Sequence, residues 1–296
     1  MSDTTRPPVQ EPAFRPCYRH ADRLTGIACQ RCGRPICNEC MVEASVGFQC
    51  PGCARRALPG ARTPRTRTGA RLGGAGGPLT AYSAAAILVG VKVVVGLADL
   101  VSGIESQLYS VNVLVAQGEV WRLVTHSFTS GSLFNLLINA LFLFLVCRSI
   151  EAEVGRWRII AAYLLSGFGA AAVVFALGPP AAGLFGGLTA LLGLLAMNAA
   201  LKFRRSEDVK PDLVFLAILV GFNLALGGIF SIGGSSGLQA VAGQVLGILG
   251  GVAFGAAVGL IWTWGPRQGR VRRQVLGLLG LTGVGVLLVA GRFLVG

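Results

Sequence analysis

Three observations predict an all-α polytopic membrane protein with a small cysteine-rich module ahead of its first span. Apolar residues make up 53% of the 296-residue chain and charged residues only 13%, with a mean hydropathy of +0.66. The apolar residues gather into long runs from Tyr82 onward. Seven of the eight cysteines lie together before that point, within residues 17–53. Soluble domains carry roughly a quarter charged residues, so an ordinary soluble enzyme is excluded. The 43 glycines follow no three-residue period, which excludes collagen.

Crossing a hydrocarbon core of about 30 Å takes about 20 apolar residues in a helix. Seven segments qualify, at about 82–101, 133–148, 158–178, 183–201, 212–231, 239–262 and 275–293. The first carries Lys92, a charge that must either snorkel to the interface or face the bundle. The first run begins behind the cysteine-rich segment, so no cleavable signal peptide is expected ahead of it.

The formal charge of +13 would suggest nucleic acid in a soluble protein. Here its distribution reads as topology. Residues 1–80 hold twelve arginines against five acidic residues. Arg148, Arg156 and Arg158 follow the second span, Lys202, Arg204, Arg205 and Lys210 the fourth, and Arg267, Arg270, Arg272 and Arg273 the sixth. This alternate set holds 23 of the 26 basic residues; the intervening loops hold Arg122, and the C-terminal end Arg292. Basic loops stay on the cytosolic side, so the N-terminus is expected inside and the C-terminus outside. No nucleic-acid partner is expected.

The cysteines form four hooks with one of the two histidines: Cys17-x2-His20, Cys29-x2-Cys32, Cys37-x2-Cys40 and Cys50-x2-Cys53. Eight ligands fill two tetrahedral zinc sites. A disulfide framework fits poorly with a paired histidine on a reducing side of the membrane. The alternating order favours a cross-brace, with Cys17, His20, Cys37 and Cys40 at one zinc and Cys29, Cys32, Cys50 and Cys53 at the other; sequential pairing is the alternative. This spacing resembles B-box-type zinc fingers. A closed four-ligand site leaves no place for water, so both ions would be structural. The domain plan is a zinc-binding module at 1–57, a basic flexible linker at 58–80, and a transmembrane domain at 81–296. The linker, rich in Arg, Gly, Pro and Thr, suits an anionic membrane surface. Cys147, alone in the second span, reads as a small buried apolar residue.

The loop between the first two spans contains Gly118-Glu-Val-Trp121-Arg122-Leu-Val-Thr125, followed by Gly131, Asn135 and Asn139, with Glu151, Glu153 and Gly155 after the second span. This pattern resembles the rhomboid intramembrane serine proteases from about Tyr82 to Arg292. The resemblance implies a rhomboid-like bundle of six spans plus a seventh C-terminal one, in the plasma membrane of a bacterium; actinobacterial members carry a similar cysteine-rich module. It also implies a Ser-His dyad, with the serine in a G-x-S-G motif opening span 4 and the histidine on span 6. Gly183-Leu184-Phe185-Gly186 places Phe185 at the serine position, and Gln244 stands at the histidine position. Asn135 and Asn139 stand where the family binds the oxyanion. Phenylalanine has no nucleophile, and a glutamine amide is no base near neutral pH. No histidine exists from residue 127 to 296. Thr189, one turn below Phe185, reads as a hydroxyl bonded to its own helix. Ser231, Ser235 and Ser236 read as a polar turn, not a displaced nucleophile with His126.

Gly243, Gly247, Gly251, Gly255 and Gly259 recur every four residues along span 6, with Gly183 and Gly187 as a matching pair on span 4. Such a stripe permits close backbone approach between spans 4 and 6, with homodimerisation as the competing use. That contact would bring Phe185 to Gln244, with Asn139 nearby. The expected function is a pseudoprotease that binds transmembrane segments of client proteins, with a cytosolic protein contact through the zinc module. The alternative is an active endopeptidase with non-standard catalytic residues. A solute transporter is disfavoured, since Lys92 is the one ionisable residue at a span centre.

Overall fold

A computed structural model of the protein describes residues 14–44, 46–57, 83–231, 237–264 and 270–295. The chain divides into two compact units, before and after residue 63. The expected linker at 58–80 lies outside the described residues.

The described part of the first unit is built from two short antiparallel ribbons and a short helix, Pro51–Ala57. Strand β1 (Arg15–Pro16) pairs with β2 (Leu24–Thr25), and β3 (Val42–Glu43) pairs with β4 (Phe48–Gln49). Its buried apolar side chains are Ile36 and five cysteines, Cys17, Cys29, Cys37, Cys40 and Cys50. That is no independent hydrophobic core.

All seven expected spans are helices: α1 (Ser83–Ser102), α2 (Leu133–Val154), α3 (Arg156–Leu177), α4 (Leu188–Phe203), α5 (Lys210–Ser231), α6 (Gly237–Thr263) and α7 (Arg270–Val295). Five of them, α1, α2, α3, α6 and α7, are long and apolar enough over their described residues to cross a membrane. Leu133, Leu137, Leu141 and Leu145 recur every four residues on α2 and are all exposed. A row of bare leucines on one helix face is the surface expected against lipid tails. The shorter α4 is buried along its first eleven residues and sits at the centre of the bundle.

One boundary differs from expectation. Gly183–Leu184 does not open a helix but forms β6, pairing antiparallel with β5 (Ser110–Val111) in the loop after α1. Gly186 then adopts φ +73°, a turn that only glycine makes cheaply, and α4 begins at Leu188. The apolar composition of 183–187 disguised this strand and turn as helix.

The glycine stripe on α6 is spent inside the chain. A Cβ on Gly251 would lie 2.6 Å from the carbonyl oxygen of Thr189, one on Gly255 2.0 Å from that of Gly193, and one on Gly259 2.7 Å from that of Met197. These are backbone atoms of α4, so the helices meet with no side chain between them. The α4 partner is therefore Gly193. Gly183 and Gly187, expected to match the stripe, both lie outside α4; Gly183 still meets Gly243 of the stripe, while Gly187 packs under Tyr163 Oη and Ser127 O. Gly255→Ala must push α6 away from α4 and is expected to cost about 1–3 kcal/mol. Gly280→Ala on α7, where a Cβ meets nothing within 4 Å, is the neutral control. Thermal unfolding of the two variants in one detergent measures the difference.

Side-chain clasps join the helix ends. The Glu151 carboxylate, at the end of α2, accepts the Ala84 and Ala85 N–H groups at 2.9 and 3.5 Å and so caps α1. Lys202 pairs with Asp212 at 2.6 Å, while Asn198 donates to the same carboxylate at 2.8 Å, tying α4 to α5. Arg205 pairs with Glu153 of α2. Arg158 donates to Gln274 Oε1 at 2.9 and 3.2 Å, which anchors α7 to α3.

Candidate functional site

The eight ligands of the first unit fall into two groups, Cys17, His20, Cys37 and Cys40, and Cys29, Cys32, Cys50 and Cys53. Within each group the ligand atoms lie within 4.8 Å of one another. This is the cross-brace; sequential pairing would require partners that sit in opposite groups. None of the cysteines forms a disulfide. Gly33, at φ +71°, closes the Cys29 knuckle, donating its N–H to Cys29 O at 2.8 Å.

The donor geometry suits zinc. Zn–S bonds of about 2.3 Å at tetrahedral angles separate two sulfurs by about 3.8 Å and a sulfur and nitrogen by about 3.5 Å. Cys32 and Cys50 Sγ are 3.8 Å apart, and His20 Nδ1 is 3.3 and 3.5 Å from Cys37 and Cys40 Sγ. Burial pushes the Cys17 thiol up, but hydrogen bonds from the backbone of Arg19, Cys37 and His20 outweigh it and bring it down to about 6. In the same group, burial and the Cys17 and Cys37 side chains push Cys40 up to about 11. One thiolate forms readily and its neighbour resists; a divalent cation at the centre removes that conflict by stabilising every thiolate at once.

In the second unit, the loop after α1 is fixed by buried polar contacts. Arg122 donates to Ser106 O and Tyr109 O at 3.0 and 2.9 Å and pairs with Glu119. Trp121 beside it is half exposed and donates to Gln107 O at 3.4 Å. The Glu105 carboxylate accepts Ser130 N and Gly131 N at 2.7 Å each. Lys92 faces the bundle: it is 0% exposed, and its Nζ donates to Ser127 O and Thr129 O at 3.1 and 3.0 Å. Tyr163 Oη donates to the same Ser127 carbonyl at 2.7 Å. Thr129 Oγ1 accepts Gly186 N at 3.0 Å, seating this loop on the turn before α4.

The strand before Phe185 packs on α6 on either side of Gln244, with Gly243 against Gly183 and Gly247 against Leu184. Phe185 is not on α4. Its ring is 61% exposed and stacks on Tyr109, 4.7 Å between centroids. The residue in the first turn of α4, with its backbone against Gly251 of α6, is Thr189. Its Oγ1 is buried with no hydrogen-bond partner among the described residues, not bonded to its own helix as expected. Gln244 Nε2 donates to Asn223 O of α5 at 3.2 Å. Asn135 and Asn139 lie one turn apart on α2, the latter buried with Oδ1 unpartnered. The amide of Asn135 comes near the Gly186 turn. Ser235 and Ser236 lie outside the described residues, as does the Ser231 side chain.

His126, in the short helix His126–Phe128, is fully buried; its Nδ1 lies 3.2 Å from Arg122 O, and its Nε2 has no partner among the described residues. Burial holds its imidazole down at about 4. Neither His126 nor Gln244 bonds the Thr189 hydroxyl.

Sequence reasoning missed the Lys92, Glu105 and Thr129 contacts. A lysine in an apolar run was the one signal available.

The second unit is an α-helical bundle of apolar helices with a polar loop folded onto a short central helix. Residues 117–263 match the rhomboid domain family, and the chain belongs to the rhomboid family. It is 29% identical over 179 residues to a protein named rhomboid protease GluP from Bacillus subtilis, covering 59% of this chain and 32% of that protein. It is 30% identical over 119 residues to RHOMBOID-like protein 1 of Arabidopsis thaliana, covering 40% and 31%. RHOMBOID-like protein 5 of the same plant is 29% identical over 118 residues, covering 38% of each chain. The chain thus spans about a third of the length of these relatives. It is an integral membrane protein.

Proposed function

We propose that this rhomboid-family protein is a pseudoprotease, binding transmembrane segments of client proteins without cleaving them. The observation that carries this reading is a hydroxyl without a base. Phe185 stands where the family resemblance places the serine and has no hydroxyl; Thr189, one turn further on in α4, has an Oγ1 bonded to neither Gln244 nor His126. General-base assistance requires hydrogen-bond reach and a suitable pKa. Gln244 has no proton affinity to offer, and an imidazole held at about 4 is a weak base.

The competing reading, an active endopeptidase, is favoured by the free Thr189 hydroxyl and by the protease name of the Bacillus subtilis relative. One assay separates them. The purified protein in bilayers, incubated with a model transmembrane substrate and a fluorophosphonate, is expected to yield no product and no labelled adduct. Cleavage abolished by Thr189→Ala refutes the pseudoprotease reading. The pair Phe185→Ser and Gln244→His restores both members of the family's dyad, whereas either change alone restores one.

In this reading the two metal ions are zinc, both structural, in the groups described above. The N-terminal unit faces the cytosol and the C-terminal end of α7 the outside, supported by the basic residues of alternate loops. A cysteine probe at Lys202 that reacts with a membrane-impermeant reagent on intact cells reverses that orientation.

A further inference from the structure

We infer that the zinc module carries a lipid-docking face on its β1–β2 ribbon, built to rest on an anionic bilayer surface. Pro16 pairs with Leu24, so their side chains share one face of the ribbon. Phe14, two residues before Pro16, falls on that face as well. Phe14 and Leu24 are each 68% exposed, and Pro16 is exposed between them. A unit whose buried apolar residues are mostly metal ligands has left a phenylalanine and a leucine bare on one side. Those two side chains would serve its own core if core formation were their use.

Charge says what covers them. Arg15, Arg19, Arg31 and Arg34 are exposed, and Arg34 lies over the Tyr18 ring at 5.7 Å, close to the ribbon. Arg23 pairs with Glu39 and Asp22; among the described residues of the module no other arginine forms an ion pair. Between Glu43 and Asp99 the sequence has no acidic residue, while Arg55, Arg56, Arg62, Arg65, Arg67 and Arg71 all fall there. Basic residues beside an anionic leaflet are attracted to it, and apolar side chains entering the headgroup region add to that attraction.

The tether makes weak contacts sufficient. Residues 58–82 join the module to α1 and span at most roughly 90 Å even when fully extended. The bilayer that holds α1 is therefore always within range, and docking is an intramolecular event with a high effective concentration. A protein partner or a second copy would need a face of about 800 Å² per side, far more than three side chains supply.

The test uses the full-length protein in nanodiscs, whose two faces are alike, so it is independent of the orientation proposed above. The photocrosslinker p-benzoylphenylalanine replaces Phe14 in one variant and Val46, 80% exposed on the other ribbon's loop, in a second. Metal content per chain verifies that each variant is folded. The Phe14 probe is expected to give lipid adducts at several-fold higher yield in discs containing phosphatidylglycerol than in phosphatidylcholine alone, and high salt should abolish the excess. The Val46 probe should show no such dependence. Equal yields in the two lipid compositions, equal yields from the two probes, or adducts with protein only would each overturn the inference.

Discussion

Chelation is expected to unfold residues 14–57 outright while the membrane helices keep their helical signal. Structural zinc contributes an apparent 10–16 kcal/mol in small finger domains, about as much as an entire domain's net stability. Here the dependence is unusually direct. Of the described buried apolar side chains in that unit, all but Ile36 belong to the two ligand groups, so removing ions held there would remove the core. Hydrogen bonds such as Cys17 N to Arg23 O and Cys29 N to Arg34 O would then stand in water with nothing to hold their partners together. Elemental analysis should find two zinc ions per chain before chelation, and limited proteolysis after it should cut within residues 14–57. Cys37→Ser should lose one ion and expose the same region. A single ion per chain, or a protease-resistant unit in chelator, would show that the two groups do not both hold metal.

Lys92→Met is expected to be the most damaging single change in the membrane bundle. Methionine keeps most of the apolar stem and deletes the ammonium, which leaves Thr129 O without its donor and Ser127 O with Tyr163 alone. Loss of a charged donor from buried acceptors costs about 3 kcal/mol, which corresponds to a fall of roughly 6–12 °C in melting temperature for a unit of this size. Tyr163→Phe removes one neutral hydrogen bond and should cost about 1 kcal/mol. Because both side chains donate to the same carbonyl, the double variant should lose more than the two singles summed. Differential scanning fluorimetry in a single detergent suffices. A Lys92→Met protein that melts with the parent would mean that these contacts contribute nothing to stability.

The helices were legible in the sequence because hydrophobic run length reports directly on membrane crossing, and all seven runs became helices. The pairing of metal ligands was legible because hooks that alternate along a chain interleave in space. The start of α4 was not. Gly183 and Leu184 belong to an apolar run by composition, and only pairing with Ser110 and Val111, some seventy residues earlier, makes them a strand. That error carried Phe185 into the bundle on paper and left Thr189 a turn too deep. The role of Lys92 was hidden for a different reason: its acceptors are backbone carbonyls of Ser127 and Thr129, and a carbonyl has no signature in a sequence.

The bare seam between α4 and α6 bears on the order of assembly. Glycine in a soluble helix is penalised because the unfolded chain has so much backbone freedom to lose. In a bilayer, unsatisfied backbone is costlier still, so each helix forms as it inserts and has surrendered that freedom before it meets a partner. Closing Gly251 on Thr189 and Gly255 on Gly193 then freezes no rotamers and orders no backbone. The chain inserts α5 between these two partners in time, so α4 must wait, already helical, with the Thr189 turn uncovered until α6 arrives. The polar start of α4 is thus sealed only once α6 arrives, along a seam where glycines meet the α4 backbone.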